Sequence, residues 1–134
     1  MAARANLVVK DRTTPTPADR TFTPDGDDPN RVHVFSEKTG VPAGNARYTA
    51  QLRRSKGKYR PSLRLAVPIV QTQTINGVSR PVVVRTAYIE LSATFDETST
   101  TQERADAVGM MANSLAATGQ TMINDLLVNL ADIY

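Results

Sequence analysis

A chain of 134 residues with 40% apolar side chains fits one domain with a core of its own. The absence of Cys excludes disulfides, thiolate zinc sites and cysteine nucleophiles, and the N-terminal apolar run Leu7 to Val9 is far shorter than the ~7 to 15 residues of a signal core or the ~18 of a membrane span, so neither export nor insertion is expected. The net charge is only +3, but it is segregated: Lys38 to Ile89 holds ten Lys or Arg and no Asp or Glu, whereas the other 82 residues hold six basic and thirteen acidic side chains. One positive surface on an otherwise acidic chain is the footprint of a protein that meets a polyanion.

In chain order, Asn6 to Lys10 and Thr21 to Thr23 read as short strands around a segment in which Pro15 and Pro17 prevent a regular ladder. Asp25 to Asn30 (DGDDPN) reads as a loop; its three Asp lack the Gly and the bidentate Glu that a calcium loop needs, so no metal is expected there. Arg31 to Phe35 alternates as a strand, and KTGVPAGN after it is rich in turn residues.

Arg47 to Ser55 places Tyr48, Ala50 and Leu52 on one face and Arg47, Thr49, Gln51 and Arg53 on the other, because successive strand side chains point oppositely. Tyr59 to Ile69 repeats the pattern with odd positions apolar. A two-residue turn at Lys56-Gly57 would set Ala50 beside Leu63, Tyr48 beside Leu65, Thr49 beside Arg64 and Arg53 beside Arg60, which agrees with both faces. The polar face so formed holds Arg47, Arg53, Arg60 and Arg64 among Thr49, Gln51 and Ser62.

The next strand, Val83 to Phe95, also buries odd positions and turns Thr86, Tyr88, Glu90 and Ser92 the other way. Between the two lies QTQTINGVSRPVV, whose Asn76-Gly77 is a type I′ turn signal. A two-residue turn there would set odd residues against even ones and expose one apolar face, so a bulge or an unpaired stretch is required. Pro81, which has no N–H, and the polar run Gln71 to Thr74 mark residues 71–81 as a semi-independent projecting loop. Beyond Phe95 the period becomes helical. Ser99 with Gln102, or Thr100 with Glu103, makes a capping box, Ala105, Val108, Met111, Ala112 and Leu115 make a stripe, and a second short helix begins at Thr121 with Ile123, Leu126, Leu127 and Leu130 on one face.

Strands followed by helices imply an α+β arrangement: helices on one face of an antiparallel sheet, the other face open to water. That open face is the basic one, which suits binding across a surface. Chemistry in a cleft is not supported: the only His is His33, within a strand pattern, no phosphate loop, metal spacing or nucleophile motif occurs, and Glu90 beside Tyr88 reads as a carboxylate balancing nearby arginines.

The stretch RYTAQLRRSKGKYRPSLRLAVPIVQTQTINGVSRPVVVRTAYIEL, followed by STTQERADAVGMM and the ending VNLADIY, resembles the coat proteins of small single-stranded RNA bacteriophages, the leviviruses, and most of all those of plasmid-dependent phages of pseudomonads. The resemblance covers nearly the whole chain. It implies a single domain over residues 1–134: an N-terminal hairpin region (1–28), a five-stranded antiparallel meander (31–96) with the projecting loop, and two C-terminal helices (99–134). It also implies an intertwined homodimer with a continuous sheet, and dimers assembled into a quasi-equivalent icosahedral shell around genomic RNA, the virion, made in the host cytoplasm. The same sheet would bind an RNA operator stem-loop and so repress replicase translation. The RNA-contacting positions carry over onto Val32, Thr49, Gln51, Arg53, Ser55, Ser62, Arg64, Tyr88 and Glu90. Gln51 and Glu90 depart from the residues common in the family, which bears on the hairpin sequence recognised. The matching family loop meets its neighbours at the fivefold and quasi-sixfold axes, which gives Gln71, Thr72, Gln73, Thr74, Ile75, Asn76, Gly77, Val78, Ser79, Arg80 and Pro81 a role in assembly. No cofactor, metal, membrane or small-molecule substrate is implied. The competing readings are a dimeric RNA-binding protein that never assembles and a small hydrolase, for which no site is found.

Overall fold

The computed structural model describes residues 3–133, in two compact units, Met1–Thr94 and Phe95–Tyr134. The first is an antiparallel meander of six strands in sequence order: β1 (Leu7–Lys10), β2 (Asp19–Asp27), β3 (His33–Ser36), β4 (Arg47–Ser55), β5 (Lys58–Ile75) and β6 (Val78–Ser92). β2 serves two neighbours. Its first half pairs with β1, Leu7 opposite Phe22, and its second half pairs with β3, Thr23 opposite Ser36, so the N-terminal hairpin runs directly into the four strands that follow.

This pairing corrects one expectation. Asp25, Gly26 and Asp27 are strand residues rather than loop, with an irregularity between Pro24 and Gly26. Composition favours a turn there, but the edge offered by β3 captures the segment. Ser36, buried in the sheet, donates a hydrogen bond to the Asp25 carboxylate, and Lys38 Nζ donates to Asp25 Oδ1 at 2.8 Å. Only the rest of the stretch turns, held by Asp28 Oδ1, which accepts from the N–H groups of Asn30 at 2.8 Å and Val32 at 3.0 Å.

The β4–β5 register is the expected one: Lys56 and Gly57 close the turn with φ of 48° and 76°, and Ala50 faces Leu63, Tyr48 faces Leu65, Thr49 faces Arg64 and Arg53 faces Arg60. Asn76 and Gly77 likewise close a turn with φ of 53° and 79°, the left-handed pair that a type I′ turn requires. Here the expectation of a semi-independent loop is corrected. Residues 71–81 are the paired arms of a long hairpin, from Ile75 opposite Val78 down to Gln71 opposite Val82. The register conflict is resolved further down, where Ile69 faces Arg85 but Val70 faces Val83, so that Val84 is the extra residue of a bulge. Pro81 does not break the ladder. It faces Thr72 in the fourth pair from the turn, where alternation places a pair that exchanges no backbone hydrogen bonds. Between β3 and β4 a 3-10 turn (Pro42–Gly44) lies against this part of β5, so close that a Cβ on Gly44 would stand 2.8 Å from Val70 Cγ2.

The second unit holds α1 (Thr101–Ser114) and α2 (Thr121–Leu127). Of the two capping boxes offered, Thr100 with Glu103 forms: Thr100 Oγ1 accepts from the Glu103 N–H at 3.2 Å while Glu103 Oε2 accepts from the Thr100 N–H at 3.4 Å. Gly119, at φ 81°, sits in the link between the helices. Among the described residues no helix is long and apolar enough to cross a membrane.

The buried apolar set is small. Phe22 packs edge-on to Tyr48 with ring centroids 6.3 Å apart, and Ala46 is buried, but Leu52 and Ile89 on the apolar side of the sheet are 64% and 63% exposed. Neither helix has a buried residue; Val108, Met110, Met111, Leu126 and Leu127 are all exposed.

Candidate nucleic-acid interface

On the polar side, register aligns side chains into rows across the sheet. One row runs Val34, Thr49, Arg64, Glu90; the next, toward the β4–β5 turn, runs Gln51, Ser62, Ser92; the row on the other side runs Ser36, Arg47, Ala66, Tyr88. Val32, Thr49, Gln51, Ser62, Arg64 and Glu90 surround a single shallow concavity of about 260 Å³. Val32 reaches it from the turn before β3, a position set by Asp28 and by the Gln51 carboxamide, which donates to the Asn30 carbonyl at 3.0 Å. Gln51 thereby ties this turn to the polar face.

The other expected positions lie outside the concavity. Arg53 and Ser55 continue along β4 toward the turn, opposite Arg60 and Lys58, and Tyr88 stands one row away, 71% exposed, opposite Ala66. Residues 71–81 form the far end of the β5–β6 hairpin and contribute nothing to the concavity. Ser92 lines it without having been selected, although its even position in β6 already placed it on the polar face.

The electrostatics of the face turn on Glu90. Arg64 Nη2 donates to Glu90 Oε1, so the Arg64 charge is balanced in the free protein. Arg47 lies near Asp25, whose carboxyl is held below its ordinary range first by the Lys38 ammonium, then by Ser36, with weaker help from Lys38 and Arg47 charge. The concavity is lined by the hydroxyls of Thr49, Ser62 and Ser92, the Gln51 amide, the Arg64 and Glu90 pair and the apolar side chains of Val32, Leu63 and Leu91.

The levivirus coat protein family model matches residues 2–134. The chain belongs to the levivirus coat protein family. It is 47% identical over 130 residues to the capsid protein of Pseudomonas phage PRR1, across 96% of this chain and 97% of that one. The fold is shared with solved particles: the capsid protein of bacteriophage GA, at a TM-score of 0.80 and 22% identity over 96% of each chain, and the virus-like particle of bacteriophage ESE058, at a TM-score of 0.85 and 23% identity over 99% of this chain and 100% of that one. A virus-like particle of Beihai levi-like virus 21 matches at a TM-score of 0.78 and 28% identity over 99% of both chains. As a levivirus coat protein the chain is a capsid subunit of the virion, with a structural rather than a catalytic role. The sheet with two C-terminal helices described above is that family's fold.

Proposed function

We propose that the chain acts as a homodimer whose continuous sheet binds RNA on its polar face, packaging genomic RNA inside the shell and holding an operator stem-loop so that replicase translation is repressed. The observation that carries the RNA reading is the convergence of Val32, Thr49, Gln51, Ser62, Arg64 and Glu90 on one open concavity, with Tyr88 exposed beside it. Arginine supplies phosphate contacts and salt-dependent affinity, Tyr88 offers a ring on which an unpaired loop base stacks, and Thr49 with Arg64 flanks an extruded base.

Dimerisation is supported by what one chain leaves open. β6 ends the strand order, so among the described residues its outer edge has no neighbour in the sheet, and a long edge rich in β-branched residues invites pairing. A second copy joined edge to edge along β6 would satisfy it. The exposed apolar faces of α1 and α2, crossed onto the partner, would cover the sheet side that bears Leu52 and Ile89. Residues 71–81, at the end of the hairpin farthest from the concavity, are proposed to make contacts between dimers in the shell.

The test combines imaging with binding. Arg64→Ala and Tyr88→Ala dimers are expected to persist and to lose affinity for the phage's replicase-start stem-loop, by about 10- to 100-fold for a charge-assisted contact or a stacked base. Unchanged affinity in both variants would remove the RNA assignment, and the absence of closed particles in electron microscopy of the unaltered protein at all salt concentrations would count against assembly.

A further inference from the structure

The chain has seven Asn, and only Asn76 is followed by Gly. An Asn side chain is open to attack by the backbone nitrogen of the next residue, and Gly offers that nitrogen with no side chain to crowd it. The nitrogens after Asn6 and Asn30 belong to Leu7 and Arg31, whose side chains hinder the approach. Four others are held by hydrogen bonds: Asn45 Oδ1 accepts from the Thr39 N–H at 3.0 Å, Asn113 Oδ1 accepts from Gln120 Nε2 at 3.1 Å, Asn124 Nδ2 donates to the Ala116 carbonyl at 2.7 Å, and Asn129 Nδ2 donates to Asp125 Oδ1 at 2.9 Å. Among the described residues the Asn76 carboxamide has no such partner. Asp25, which precedes Gly26, is protected differently: Lys38 and then Ser36 hold its carboxyl in the ionised form, and a carboxylate is a poor electrophile.

The fold adds access. Ladder pairing stops at Ile75 opposite Val78, so the Gly77 N–H lies outside the ladder, and both turn residues are exposed. A Cβ built on Gly77 would meet nothing within 4 Å. All of residues 71–81 are exposed, so the arms rest on ladder and turn alone, and a two-stranded ribbon without a packed face is only marginally stable in water. Such a ribbon frays from its tip. Each opening frees the Asn76 backbone from the turn conformation, φ 53°, so that the Gly77 nitrogen reaches the side-chain carbonyl carbon.

We propose that Asn76 is a site of spontaneous deamidation, and that this reaction ages dimers that have not entered a shell; the second half rests on the reading of residues 71–81 as contacts between dimers. The Gly77 nitrogen bonds to Asn76 Cγ as it gives its proton to solvent base, and the Cγ–Nδ2 bond breaks to release ammonia. Water then opens the cyclic imide at either carbonyl and leaves Asp or iso-aspartate, so the net change is one water taken up and one ammonia lost. Nothing is oxidised or reduced. Iso-aspartate routes the main chain through the side-chain carbon, which enlarges the turn by one atom. A two-residue type I′ turn is matched to the twist of its strands, and an enlarged tip no longer closes Ile75 against Val78. Either product also puts a carboxylate into Lys38 to Ile89, which has none. In a closed shell, contacts that hold the tip suppress the opening that the reaction needs, so subunits there are protected.

The experiment incubates full-length dimers, kept too dilute to assemble, beside closed shells in mildly alkaline buffer, and follows the peptide that carries residue 76 by mass spectrometry. Dimers are expected to gain about 1 Da at residue 76 and at no other Asn, at a rate proportional to hydroxide concentration. In shells the gain is expected to be at least about 10-fold slower. Asn76→Gly dimers, whose turn Gly fits, are expected to show no gain in that peptide. Aged dimers are then separated by ion exchange, which resolves the added charge, and the converted fraction is expected to give fewer shells than the unconverted fraction of the same sample. Dimers of unchanged mass, under conditions in which a free peptide of residues 71–81 converts, would overturn the site and leave the assembly reading of the hairpin untouched. Equal rates in dimers and shells, or converted dimers that assemble as well as unconverted ones, would overturn the coupling to assembly and leave the site standing.

Discussion

Arg64 stands directly opposite Glu90 across the β5–β6 ladder, and its guanidinium donates to the Glu90 carboxylate. On the proposed reading of this face as the RNA surface, a phosphate at the concavity would compete with an anion already in place. Both side chains are well exposed, 63% and 62%, so the pair is worth only about 0.2 to 1 kcal/mol after solvent screening. Glu90→Gln is accordingly expected to leave fold stability unchanged within about 1 kcal/mol and to raise RNA affinity about 2- to 10-fold at low salt, the gain shrinking as salt rises. Fluorescence anisotropy over a salt series measures this. A loss of affinity would mean that Glu90 accepts a hydrogen bond from the RNA.

The parts of the fold legible in the sequence are those fixed by local rules. Two residues close the β4–β5 turn, the apolar pattern agrees on both strands, and Arg64 could only face Thr49. The Thr100 and Glu103 capping box is equally local. Parity also required a bulge or a break between β5 and β6, yet nothing in parity says where it falls. Pro81 and the polar run beside it drew attention to the hairpin arms, while the extra residue is Val84, one β-branched side chain among Val82, Val83 and Val84. The Asp25 to Asp27 segment failed as a loop because a non-local neighbour, β3, decided its conformation. The concavity was half legible: alternation selected Thr49, Gln51, Ser62 and Arg64, but the place of Val32 depends on Asp28 side-chain bonds that no period encodes.

The bulge permits a sharp test of the hairpin. Deleting Val84 would bring Val83 and Arg85 into succession and leave each partner pair of β5 and β6 as it is, removing only the local bend and added twist. Dimers of such a variant are expected to form normally on size-exclusion chromatography, while shells form in lower yield or melt at lower temperature because the hairpin leaves the sheet in a different direction. Removing Thr74, Ile75, Val78 and Ser79 together also preserves parity, since it takes two pairs and keeps the Asn76-Gly77 turn, and it is expected to impair shells without harming dimers. Shells of wild-type yield and melting temperature in both variants would show that the hairpin has no role in assembly.

Apart from Glu90 on β6, the sheet's carboxylates are gathered at the β1 to β3 end, and that gives acid stability a direction. Arg20 grips Glu37 with two hydrogen bonds, Nε to Oε2 at 2.7 Å and Nη2 to Oε1 at 2.5 Å, and the Glu37 side chain is only 14% exposed. The Arg20 hydrogen bonds hold the Glu37 carboxyl below its ordinary value of 4.5; His33 and then Arg4 act likewise on Asp27, and the N–H groups of Thr13 and Ala18 on Asp11. A carboxyl whose folded pKa is depressed stabilises the fold above its unfolded value, and that stability is lost as pH falls through the folded one, because the unfolded chain takes up protons first. Stability is therefore expected to rise with pH between about 3 and about 5. The loss on acidification should start at β1 to β3, because Lys38 to Ile89 contains no carboxylate to protonate. Amide exchange at pH 3.5 should show β1 to β3 opening before β4 and β5. Urea melts should show Glu37→Gln costing about 1 to 2 kcal/mol at pH 7 and flattening the acid slope. Uniform exchange along the sheet, or a slope untouched by Glu37→Gln, would place the acid sensitivity elsewhere in the chain.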